Sequence, residues 1–134
     1  MGRRDGVIVL DTHAWLWLYH EADQLSTSAS SAIAGADRIG ISAMTCWEVA
    51  LLVERRKIKL DRDVRLWVRQ ALAQERTEAL PVTVEIAVEA ALLPATFPGD
   101  PADRLIYSTA RANSAQLVTK DERLRAFDSA RALW

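Results

Sequence analysis

Residues 7–16 read Val7-Ile8-Val9-Leu10-Asp11-Thr12-His13-Ala14-Trp15-Leu16, and this stretch decides the fold. Four apolar residues, three of them β-branched, run without polar alternation. That pattern suits a strand buried on both faces, the usual state in a parallel sheet. The run ends on the carboxylate of Asp11, and the pattern then turns helical. Asp11 therefore falls at the carboxyl end of its strand, the edge where open α/β folds bind ligands.

Beyond Asp11 the segment His13–His20 is apolar nearly all round, so it needs cover from its own domain or from a partner. Trp15 and Trp17 lie on different faces of such a helix, and one of them is free to look outward. Ser26 N-caps a second helix with Ala29, Ile33 and Ala36 along one side. Arg38–Ser42 predicts a second strand, and Ser42 caps a helix over Ala43–Arg56. Asp61–Gln74 follows as an amphipathic helix with Val64, Trp67, Val68, Ala71 and Leu72 inward. Glu78–Val82 is a weak third strand, assigned to an edge because Pro81 interrupts it. Helices over Val84–Leu93 and Pro101–Asn113 precede a strand at Gln116–Thr119. Lys120–Arg123 opens the final helix, and the tail Ala130–Trp134 adds an edge strand. Strands alternating with helices throughout predict a single α/β domain over residues 1–134. Its central, mostly parallel sheet of four to five strands carries helices on both faces.

A formal net charge of −1 leaves no global field to recruit nucleic acid. Of 17 basic residues only Lys57, Lys59 and Lys120 are lysines, the rest arginines. The run Arg55-Arg56-Lys57-Ile58-Lys59 complements a helix C-terminus, with phosphate contact as the second reading. A lone cysteine, Cys46, excludes an internal disulfide and a cysteine-rich zinc site, and reads as a buried thiol. Met1–Asp5 lacks the apolar segment of a signal peptide, and no stretch approaches transmembrane length, so a cytoplasmic protein is expected. Neither phosphate-binding glycine motif, GxxxxGK[ST] or GxGxxG, occurs.

Acids recur at strand ends and helix starts: Asp11, Glu48, Asp103 and Asp121, with Asp100 beside them. Each has a plain explanation alone. Glu48 can pair with an arginine or face water. Asp100 and Asp103 flank Pro101 and can serve as N-cap and first-turn acid. Together they form a cluster of like charges converging on one edge, which repels itself unless a cation sits in it. Oxygen-only ligands select Mg²⁺ or Mn²⁺, and such a site suits metal-assisted phosphodiester hydrolysis. His13 is assigned to packing or to the helix start.

Four segments carry a resemblance: Asp-Thr-His-Ala-Trp-Leu at 11–16, Ser-Ala-Met-Thr-Cys-Trp-Glu-Val-Ala at 42–50, Gly-Asp-Pro-Ala-Asp-Arg-Leu-Ile at 99–106, and Leu-Val-Thr-Lys-Asp-Glu at 117–122. In this order, over nearly the whole chain, they resemble PIN-domain ribonucleases, and in particular the VapC-like toxins of type II toxin–antitoxin systems. The resemblance implies a three-layer α/β/α fold and a Mg²⁺- or Mn²⁺-dependent endoribonuclease acting on tRNA or another structured RNA. It assigns Asp11, Glu48 and Asp103 to the core metal acids and Asp121 to a fourth, more variable one. Asp100 matches the first acid of the Asp-Pro-x-Asp-Arg motif, as ligand or as cap. Thr12 and Thr119 match small polar positions that bind water or phosphate, and Arg104 a motif arginine that is structural or contacts substrate. Homodimers and a VapB-like antitoxin are implied too, with the helix His13–His20 suited to that partner. Pro98-Gly99 stands where a histidine usually precedes Asp-Pro. The alternative from another class is a catalytically silent PIN-like RNA-binding or scaffolding module.

Overall fold

The first strand, β1 (Val7–Leu10), is buried along its whole length because it lies in the middle of a sheet covered on both sides. The computed structural model describes residues 6–134. Met1–Asp5, on which the reading of the N-terminus rests, lie outside the described residues. Five strands form the sheet in the order β3-β2-β1-β4-β5, all parallel, where β2 is Arg38–Ser42, β3 Thr77–Leu80, β4 Gln116–Val118 and β5 Ala132–Leu133. Alternate side chains of β1 supply two cores. Ile8 and Leu10 join Trp15, Ile33, Ile41 and Trp67 on one face. Val7 and Val9 join Ile106, Tyr107, Leu117 and Leu124 on the other. A strand with period-two side chains and both faces buried must be apolar at every position, which is what Val-Ile-Val-Leu provides.

Seven α-helices cover the sheet among the described residues. They are α1 (Thr12–His20), α2 (Thr27–Gly35), α3 (Ala43–Glu54), α4 (Val64–Leu72), α5 (Val84–Ala91), α6 (Pro101–Ala112) and α7 (Glu122–Phe127). This is the expected three-layer α/β/α arrangement. Ser26 caps α2 and Ser42 caps α3, each accepting a backbone N–H of the first turn. The α1 helix finds its cover within the chain. Ala14, Trp15 and Leu16 are buried, and the Trp15 ring meets Trp67 edge-on at 4.9 Å.

Element ends depart from the sequence reading by a few residues, each for a local reason. The α3 helix stops at Glu54 rather than Arg56, because Arg56 takes a left-handed backbone (φ 57°) that ends the helix. The α4 helix starts at Val64, where Asp63 caps it through Arg65 N–H, while Asp61 pairs with Arg62 instead. Strand β3 ends at Leu80, one residue before Pro81, which has no N–H to give to a ladder. It does lie at the sheet edge. Cys46 is half-buried at the margin of the first core. Among the described residues no helix is long and apolar enough to cross a membrane.

Candidate active site

Three adjacent strands deliver the site. Asp11 follows β1 directly and caps α1, its Oδ1 accepting the Ala14 N–H at 2.9 Å. Glu48 sits one turn into α3, which grows straight out of β2. Asp121 follows β4 and caps α7 by accepting the N–H groups of Arg123 and Leu124. Asp103 comes from the first turn of α6 across the edge. All four line one open cavity of about 390 Å³, together with Thr12, Trp17, Thr119 and Lys120.

Hydroxyls set the orientation of these acids. Thr12 donates to Glu48 Oε1 at 2.6 Å. Thr119, almost fully buried, accepts the Asp121 N–H at 3.2 Å and hydrogen-bonds the Asp11 carboxylate, bridging the two strand ends. Beneath them the buried hydroxyls of Ser42 and Thr109 meet at 3.2 Å. The Thr109 proton already goes to the Leu105 carbonyl at 2.7 Å, so Ser42 is the donor of that pair. This pair ties the start of α3 to α6, the two helices that carry Glu48 and Asp103.

Burial raises the Asp11 carboxyl above its ordinary value. Its bonds from Thr119 and Ala14 oppose that rise, and the nearby Glu48 charge adds to it. Asp103 is pushed up to about 7, first by burial and then by the charges of Asp100 and Glu48. Carboxylates that raise one another's pKa mark a place where positive charge is missing. Lys120 and Arg123 stand at the rim. Lys120 holds its ammonium over the Trp17 ring at 5.5 Å, and Arg123 lies 3.4 Å from Asp121.

An all-oxygen donor set fits a hard divalent ion. Among the described residues no three His, Cys, Asp or Glu side chains form a ready-made ligand group. The cavity is open as well as acidic, which suits an ion that keeps several waters, as Mg²⁺ does.

Asp100 and Arg104 stand apart from this cavity. Asp100 and Asp103 form a reciprocal capping box: Asp100 Oδ1 accepts Asp103 N–H at 2.9 Å, and Asp103 Oδ2 accepts Asp100 N–H at 3.1 Å. Asp100 is thus the N-cap of α6, with Oδ1 engaged by that bond. Arg104, for which substrate contact is one of two readings, turns away from the acids. Its guanidinium donates to the Ala90 carbonyl in the last turn of α5 and to the Leu93 and Pro94 carbonyls just past it, and lies 5.6 Å from the Phe97 ring. Orphan carbonyls at a helix end and an aromatic face are good partners for an arginine. Gly99 stands against Asp103, and a Cβ there would come within 2.7 Å of Asp103 Cβ and 2.9 Å of its Oδ2. Lys120 and Trp17 carry no site role in the sequence reading, although Lys120 stands between two residues that do.

The sequence profile of the PIN domain matches residues 8–130, which span every element that contributes an acid. The chain belongs to the PIN-domain family. Across 119 residues, 89% of this chain and 90% of the relative, it is 43% identical to a protein named ribonuclease VapC22 of Mycobacterium tuberculosis. Solved PIN-like neighbours share the fold at lower identity. VapBC2 of Rickettsia felis, bound to a DNA fragment from its promoter, matches with a TM-score of 0.71 at 18% identity, covering 95% of this chain and 97% of the other. A toxin–antitoxin complex of Klebsiella pneumoniae matches with a TM-score of 0.68 at 19% identity, covering 95% and 96%.

Proposed function

We propose that this PIN domain is a divalent-metal-dependent endoribonuclease of the VapC toxin type, cutting tRNA or another structured RNA. The observation that carries the proposal is the convergence of Asp11, Glu48, Asp103 and Asp121 on one cavity, in a chain 43% identical to a named VapC ribonuclease. Residues 1–134 work as one cytoplasmic domain, paired as a homodimer and restrained by a VapB-like antitoxin. The toxin–antitoxin complexes among the structural neighbours support that partner.

In the proposed mechanism Asp11, Glu48 and Asp103 would hold a Mg²⁺ or Mn²⁺ ion, with Asp121 as a further ligand. When bound, the ion supplies Lewis acidity and a nucleophilic water at neutral pH. The side chains do the rest. Thr12 keeps one Glu48 oxygen fixed, so that the other faces the cavity. Thr119 holds Asp11 and Asp121 in register. Lys120, at the rim, faces a non-bridging phosphate oxygen and draws the RNA backbone into the acids. The water oxygen would bond to phosphorus as the bond from phosphorus to the RNA 3′ oxygen breaks, leaving a 5′-phosphate on one fragment and, after protonation from solvent at the open cavity mouth, a 3′-hydroxyl on the other.

The test is incubation of antitoxin-free protein with total RNA and Mg²⁺ or Mn²⁺, beside Asp11→Ala and an EDTA control. Discrete fragments lost in both controls are expected. Metal binding without cleavage of any RNA in the mixture would move the reading to a toxin specific for a single RNA. Absence of both metal binding and cleavage would favour the silent RNA-binding module.

A further inference from the structure

A second groove of about 590 Å³ opens directly beside the acids and shares His13, Glu48 and Leu52 with their cavity. Its floor is one face of α3. Trp47, Leu51 and Arg55 recur at four-residue spacing along that face, with Met44 at one end and Lys57 just past the other. Trp47 is 54% exposed, unusual for an indole in a chain whose Trp15 and Trp67 are buried. Arg55 and Lys57 are exposed as well, and among the described residues neither makes an ion pair or a side-chain hydrogen bond.

We infer that this groove seats an unpaired nucleotide flanking the scissile phosphate, its base on the Trp47 ring and its phosphate between Arg55 and Lys57. The inference rests on the nuclease reading above and adds to it a subsite for one base and its phosphate, built from residues of this chain. Bases stack on an exposed aromatic face whatever their sequence, and cations along the same groove follow the backbone. Charge complementarity selects this occupant. Glu48 lies where the groove joins the acid cavity, Asp100 lines the opposite wall with one oxygen engaged in capping α6, and the two cations lie toward the C-terminal end of α3. The other exposed apolar face offers a contrast. Val84, Val88 and Leu92 make an aliphatic stripe along α5 and its C-cap, with Glu85 and Glu89 on the same helix. The stripe itself is aliphatic and its own charges are acids, and the rings and arginines near its Leu92 end, Tyr107, Phe127, Arg111 and Arg131, come from other elements, so it suits protein rather than RNA.

The test is fluorescence anisotropy with a short fluorescein-labelled single-stranded oligoribonucleotide of mixed sequence. Ca²⁺ replaces Mg²⁺ to fill the carboxylates. Trp47→Ala is expected to weaken binding about tenfold, while Trp47→Phe keeps most of it. Arg55→Ala with Lys57→Ala is expected to flatten the slope of log affinity against log salt by about 1.4, the value for two lost phosphate contacts on a single strand. Circular dichroism and metal affinity of all variants should stay at wild-type values. Unchanged RNA affinity in Trp47→Ala would overturn the subsite while leaving the nuclease reading intact. A wild-type protein that binds no RNA would overturn both. A variant that changes only the sedimentation of the protein, and not its RNA affinity, would assign the face to a second copy and overturn the subsite.

Discussion

The Thr12 hydroxyl donates to Glu48 at 2.6 Å, joining the residue after the first strand to an acid 36 positions later. Thr12 is buried and fixed in place while Glu48 lines the open cavity, so the bond orients a carboxylate that water alone would leave free to turn. Hydrogen bonds to charged groups contribute about 1.5–3 kcal/mol, and partners that orient a ligand typically change metal affinity or activity by about 10–100-fold. Thr12→Val, equal in shape but without the donor, is expected to lose cleavage and Mg²⁺ affinity in that range. Thr12→Ser should recover most of both. Parallel Mg²⁺ titrations and cleavage rates decide the matter, and a fully active valine variant would make the bond incidental.

Metal-free stability should depend on pH in an unusual direction for a carboxylate. Asp103 is raised to about 7 in the folded chain from an ordinary value of 3.8, and Asp11 is raised too. A raised folded pKa means that the folded state holds its proton more tightly than the unfolded state. The resulting stabilisation is complete below the unfolded value and disappears as pH climbs through about 7. In EDTA the Tm should therefore fall between about pH 5 and about pH 8. Asp103→Asn should flatten that fall. Mg²⁺ should raise the Tm most at the alkaline end, where the acids are ionised and repel one another. A Tm in EDTA that rises across this interval would contradict the assignment.

Gly99 is a position where space, not backbone angle, demands glycine. A methyl group there collides with the Asp103 side chain. Gly99→Ala should displace that carboxylate by a few tenths of an ångström and cut activity, with unfolding in urea changed by about 1 kcal/mol or less. Activity and stability moving together would place the damage in the fold instead.

Arg104 offers the opposite separation. It holds carbonyl groups at the C-terminal end of α5 and just past it, and faces Phe97. Arg104→Ala should cost about 1–3 kcal/mol of unfolding free energy, with kcat per folded molecule close to wild type. Asp11→Asn should do the reverse, abolishing cleavage in a chain that still melts cooperatively. Urea unfolding beside single-turnover rates distinguishes them.

The layout of the chain was legible because its strands are short apolar runs and its helices open on polar caps. Val7–Leu10 and Arg38–Ser42 carry their own boundaries. The acids were legible because each follows a strand or opens a helix. What stayed hidden was orientation. The cap at Asp100 could be read from Asp-Pro-Ala-Asp itself, but nothing there says that Arg104 turns toward α5, since that depends on the packing of α6 against α5. Lys120 was obscured by its neighbours, because its place at the cavity rim follows from the face of Trp17 beneath it. Helix ends drifted where a left-handed residue such as Arg56 overrode apolar periodicity.

Strand β1 has a neighbour on each side and cover on each face, whereas β5 is held through only two residues at one margin. Amide exchange should follow that gradient, fast in β5, slower in β2 and β4, and slowest in β1 at Ile8, Val9 and Leu10. Asp11 hangs from the part of the molecule that opens last. Mild heat or denaturant can loosen the periphery without moving that carboxylate. Loss of the reactive centre and loss of the whole fold should then coincide in a single cooperative transition, with no long-lived inactive species that still retains its sheet.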